Sequence, residues 1–123
     1  MATTFVTPMV LKARKALRLI NARLKKGDVK LAPGIPFDRH GMTVCAQAAL
    51  VIAHNPEVDA DTALHEDERT VVQILRGHGY TPTQIDQLEL GFEDRSYSWN
   101  GKPQPNHPFF KLGRKLRLLA KSS

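Results

Sequence analysis

The chain has 123 residues, 41% of them hydrophobic and 24% charged, with a formal net charge of +6; these are the values of an ordinary globular domain and exclude a disordered chain or a fibre. The longest uninterrupted apolar run, Ala48 to Ala53, falls far short of the roughly 20 residues of a membrane-spanning helix, and the N-terminus lacks the basic-then-apolar order of a signal peptide. A lone Cys45 forms no internal disulfide and no thiolate zinc site, so the expectation is one cytoplasmic, all-α domain over residues 1–123, without cofactor.

In chain order, Thr7-Pro8 is a helix start, because the hydroxyl caps free amides and proline is tolerated at the first helical position; Gly27 is the matching stop. Between them Val10, Ala13, Leu17, Ile20 and Leu24 recur at spacings of three and four, which places them on one stripe. Residues 28 to 42 hold Pro33, Gly34, Pro36 and Gly41 without sustained periodicity and read as a connector with at most a helical turn near Phe37. Met42 to His54 is rich in alanine and apolar nearly all round, as in a central helix covered by neighbours. Asp59 or Asp61 caps a third helix running to about Arg76, and Gly77 and Gly79 end it. Thr81-Pro82 repeats the start signal for a short helix that Gly91 closes. Residues 92 to 107 form an irregular loop, with Asn100-Gly101 as a turn signal for a small hairpin that Pro103 opposes. Pro108 then opens a last helix with Phe109, Leu112, Leu116 and Leu119 in a stripe. The sum is a compact bundle of four to five helices with an irregular loop at about 92–107.

Charge is laid out in three blocks. Residues 1–27 and 95–123 each hold seven Lys or Arg and no acid, while residues 28–94 hold twelve acids against four bases, giving +7, −8 and +7. Such asymmetry marks an anionic partner, or equally a fold in which basic ends pack beside an acidic middle. On the first helix Lys12, Lys15, Arg23 and Lys26 project opposite the apolar stripe, with Arg14, Arg18 and Lys25 along one edge. On the last, Phe110, Arg114, Arg117 and Lys121 share a side, one ring with three cations. These eight residues are the expected nucleic-acid-binding set: cations neutralise phosphates while the ring stacks on a base, provided the two helices are neighbours. The alternative for the same residues is burial of Phe110 under the 92–107 loop and solvated cations.

Other chemistries find less support. Val71 to Leu90 reads as helix, glycine turn, helix, but the second helix carries Asp86 and Glu89 and no base, so it would repel DNA phosphates. The order Leu75, Gly79-Tyr80, Gln84-Ile85 resembles a ubiquitin-associated domain over some twenty residues. Cys45 stands near a helix start, where a thiol pKa can fall, yet it sits among Val44, Ala46 and Ala48, and none of the five histidines is marked as its base. The histidines show no metal-ligand spacing, so no metal site and no catalytic residue is expected. Glu66, Asp67 and Glu68 are accounted for by a helix start.

LELGFED, an aromatic loop with Trp99, and HPFFKLGRKLR together resemble the C-terminal part of small bacterial and phage proteins of unknown function. The resemblance implies a phage or prophage origin and supplies no chemistry. The functional expectation is a small, basic, non-enzymatic protein that uses its terminal helices against nucleic acid or a ribonucleoprotein and has no membrane partner. The alternative is a phage-type inhibitor or accessory protein that docks on a host protein through Trp99.

Overall fold

The computed structural model describes residues 7–34, 37–38, 42–65, 69–96 and 101–122. Its elements run α1 (Pro8–Lys26), β1 (Lys30–Leu31), β2 (Phe37–Asp38), β3 (Thr43–Val44), α2 (Ala46–Ala53), α3 (Ala60–His65), α4 (Val71–Gly77), α5 (Pro82–Glu93) and α6 (Pro108–Ser122). Side-chain caps set at least five of the helix starts, among them α3, where Asp59 Oδ1 accepts from the Thr62 amide at 2.7 Å as the sequence leads one to expect. The hydroxyls of Thr7, Thr70 and Thr81 accept from the amides of Val10, Gln73 and Gln84 at 3.2, 3.2 and 3.1 Å, and the Cys45 sulfur accepts from Ala48 at 3.5 Å. Gln73 and Gln84 return the contact to the amides of Thr70 and Thr81, so each pair closes a reciprocal capping box.

These caps explain two departures from the periodicity. The helix expected from Asp59 or Asp61 to Arg76 is two helices, α3 and α4, because Thr70-Val-Val-Gln73 starts a helix afresh. The helix expected from Met42 begins only at Ala46, because Thr43 and Val44 are drawn into a small sheet and Met42 turns in the left-handed region, φ 48°. Its order is β1-β3-β2, with β1 parallel and β2 antiparallel to β3. Strands of two residues carry no alternation, so the connector at 28–42 gave no strand signal.

α2 is the hub of a mostly helical bundle, as its all-round apolar character implies: Ala46 and every residue from Ala48 to Ala53 are buried. One apolar cluster runs from Ala13 and Ile20 on α1 through α2 to Leu88, Phe109 and Leu116. The α5–α6 crossing is the tightest approach. Gly91 lies within α5 rather than closing it; the helix continues to Glu93 and is capped by Asp94 in the left-handed region, φ 56°. Gly91 faces Phe110 and Arg114, and Gly113 faces Leu88 and Phe92, so each helix offers a glycine to the other's backbone. Gln87, also fully buried, bridges α5 to the segment before α6: its side chain donates to the Lys102 carbonyl at 3.0 Å and accepts from the Gln104 amide at 2.8 Å. Residues 97–100, the first half of the expected hairpin, lie outside the described residues.

Candidate functional site

The first and last helices are neighbours. Val10, Ala13 and Leu17 line a groove with Pro108, Leu112 and Lys115, and further along Leu24 meets Leu119 and Ala120. The pairings advance together, so α1 and α6 run side by side in the same direction. Two helices whose chain segments contain no acid thus lie against each other.

The residues that meet there are not those the helical wheels singled out. Arg23 does not face outward: it is 4% exposed, and its guanidinium grips Asp28 at 3.2 and 2.8 Å while also donating to the Asn55 and Val58 carbonyls at 3.1 and 2.6 Å. The buried stripe of α1 is Ala13, Ala16, Ile20 and Arg23, because small alanines let α1 press onto α2; Val10, Leu17 and Leu24 are left at the edge toward α6. Lys12 is also turned inward. Its ammonium donates to the Gly79 carbonyl and to Gln84 Oε1 at 2.7 Å, and lies 4.9 Å from the centre of the Tyr80 ring, pinning α1 to the α4–α5 turn.

Phe110 is buried at 9% exposure and gives no open ring for a base. Arg114 caps that ring at 5.9 Å and pairs with Asp94 at 3.2 Å, while Arg117 donates to the Phe92 carbonyl at 2.8 Å. Lys15, Lys26 and Lys121 are exposed, but do not line the groove. Trp99 lies outside the described residues. Among the described residues, Arg23–Asp28, Arg95–Glu89 and Arg114–Asp94 join a basic end to the acidic middle, so part of the charge asymmetry is cancelled inside the fold.

The cations gathered at the seam are a different set. Arg14, Lys111 and Lys115 rim the seam groove of about 260 Å³ above an aliphatic floor of Val10, Ala13, Leu17 and Leu112. Arg18 extends the rim on α1, beside Leu11, which is 55% exposed. Among the described residues no carboxylate pairs with these four cations. The signal for them lay in the edge of α1 held by Arg14 and Arg18. It becomes visible once Arg23 is assigned to the core, which rotates the outward face of the helix toward that edge.

A second polar cluster joins α2 to the α4–α5 turn. His54 Nε2 and the Tyr80 hydroxyl are hydrogen-bonded at 2.7 Å, His78 stacks on His54 at 4.4 Å, and Phe109 meets Tyr80 edge-on at 5.9 Å. Burial pushes the Tyr80 hydroxyl up to about 12. Burial, followed by the charges of His78 and Lys15, lowers His54 from its ordinary 6.5 to about 4. Neither group is poised to act as acid or base near neutrality. The effect on stability has a definite sign. Between about 6.5 and 4 the unfolded chain binds the proton that folded His54 refuses, so this contribution is complete above pH 6.5 and is lost as pH falls toward 4. Thermal melts across that window are expected to show a smaller loss of Tm for His54→Gln than for the parent; equal slopes would remove the assignment.

Cys45 serves as a cap. Burial raises its thiol pKa above the usual value, which disfavours the nucleophilic thiolate. α5 is packed along most of its length, with Gln84 to Leu88 and Leu90 to Phe92 buried, and so presents no free helix to a DNA groove. Among the described residues no three His, Cys, Asp or Glu side chains converge as a metal-ligand set, and no helix is long and apolar enough to cross a membrane. Comparison with known protein families, curated proteins and solved structures returns no match.

Proposed function

We propose that the chain is a non-catalytic binding module that receives an anionic macromolecule along the seam between α1 and α6. The observation that carries this is the seam itself: two acid-free helices side by side, with Arg14, Arg18, Lys111 and Lys115 exposed around an aliphatic groove. Cations gathered without counter-charges raise the local concentration of polyanions and speed their encounter, an effect that salt screens. Nucleic acid or a ribonucleoprotein supplies that charge as phosphate, and a host protein bound by a phage accessory factor supplies it as carboxylate.

The reading is tested with two variants of equal net charge, Arg14→Glu with Lys115→Glu on the seam and Lys15→Glu with Lys26→Glu on the exposed side of α1 that does not line the groove. Binding to single-stranded RNA, duplex DNA and acidic peptides is titrated at rising salt. The seam variant is expected to lose about tenfold or more in affinity and most of its salt dependence, the distal variant little. Equal losses in both would reduce the effect to net charge and refute the seam.

A further inference from the structure

We propose that the occupant of the seam is an acidic amphipathic helix of a partner protein, with its apolar side chains in the groove and its carboxylates on the four cations. This rests on the reading of the seam as an anion-binding surface and adds the chemistry of what is bound.

The floor decides between phosphate and carboxylate partners. A nucleic acid that enters a cationic groove is held by bases stacking on aromatic rings, or is read by donors and acceptors facing base edges. Among the described residues the seam has neither along its length: its floor is Val10, Ala13, Leu17, Pro108 and Leu112, and of those residues Asn106 alone brings a side-chain amide to it. The ring on that side of α6, Phe110, is 9% exposed, walls a flanking hollow rather than the groove, and is capped by the Arg114 guanidinium. An aliphatic floor instead rewards burial of aliphatic side chains. At about 260 Å³ the groove is below the roughly 300–1,000 Å³ of small-molecule sites and suits side chains of a larger partner.

The arrangement of the surroundings then points to a helix. Two further hollows flank the groove and share its walls. Arg14 and Leu17 also line a hollow with Leu11 and Arg18, and Lys111 and Lys115 also line one with Phe110 and Leu118. Apolar depressions therefore alternate with cationic ridges, and the outer depressions carry Leu11 and Leu118 at 55% and 67% exposure. A helix with apolar residues at i, i+3/i+4 and i+7, bordered by Glu or Asp, is the complement of that pattern. Along the axis, the lining from Val10 to Arg18 is about 12 Å at 1.5 Å per residue, which matches contact with about two turns of a partner helix.

The test uses the full chain and defined probes: a synthetic peptide of about 14 residues with leucines at helical spacing bordered by glutamates, its scramble, a single-stranded oligonucleotide of equal charge, and phosphatidylglycerol vesicles. The patterned peptide is expected to bind about tenfold or more tighter than its scramble and than the other two probes. Leu11→Ser with Leu118→Ser, at exposed positions that leave the core intact, is expected to erase the preference over the scramble, and Arg14→Glu with Lys115→Glu to weaken both peptides. Equal binding of peptide and scramble would overturn the helix while leaving an anion-binding seam. Tighter binding of the oligonucleotide or the vesicles would overturn it in favour of nucleic acid or a lipid surface. Failure of every polyanion to bind would remove the seam reading as well.

Discussion

Gly113→Ala is expected to destabilise the fold by about 3 kcal/mol or more, lowering Tm by on the order of 10 °C. Intrinsic helix propensity argues the opposite sign, since alanine is better than glycine inside a helix by about 1 kcal/mol. Packing wins because of what the methyl group would strike. A Cβ at Gly113 falls within the contact radius of the Leu88 carbonyl oxygen, 2.8 Å from the Phe92 amide nitrogen and 3.1 Å from the Gly91 carbonyl carbon. All three are backbone atoms of α5, and only separation of the helices relieves them. Gly91→Ala meets the Phe110 carbonyl and the Arg114 amide in the same way and is expected to act in the same direction. Chemical denaturation of both variants checks this; stability equal to or above the parent would show that the helices are not packed backbone to backbone. Gly77→Ala is the control, because its Cβ approaches only the far end of the Arg69 side chain, at 3.0 Å.

Arg23→Met is the second large effect, with an expected loss of about 3–5 kcal/mol. The guanidinium ties three places together: Asp28 after α1, Asn55 after α2 and Val58 before α3. A methionine fills much of the space but leaves the Asp28 carboxylate unpaired and two carbonyls without their donor. Arg23→Lys is not expected to rescue, since one ammonium cannot hold a carboxylate bidentately and reach two carbonyls on separate segments. A stability near that of the parent in either variant would mean that the arginine is solvated in solution. Neither change touches the seam, so any of the variant that folds is expected to bind anions as the parent does.

These two residues show how far the sequence could be read. The helical class, the Thr-Pro starts, the Gly27 stop and the central position of α2 followed from capping and periodicity, which are local. A glycine's local meaning is a break, so Gly91 reads as a stop; its use as a contact surface depends on Gly113, 22 positions away. Arg23 was placed outside because a charged residue opposite an apolar stripe belongs in water. Its burial depends on a carboxylate and two carbonyls that only the folded chain assembles. Lys12 and Arg117 leave the expected binding faces for the same reason, each claimed by a partner from another element, and Phe110 leaves by burial. Of the two alternatives posed by the charge layout, the packing of basic ends beside the acidic middle is realised in part. Basic ends do meet the acidic middle through Asp28, Glu89 and Asp94, and four other cations, Arg14, Arg18, Lys111 and Lys115, lie where the two ends meet each other.

The seam is therefore the place where the account is most exposed, and the direct measurement is amide chemical-shift mapping of the full chain as the patterned acidic peptide is added. The account predicts changes confined to residues 10–18 and 108–118, with α2 and the α4–α5 turn unmoved. Changes centred on Gly79 to Gln84, or spread evenly over all exposed lysines and arginines, would contradict it.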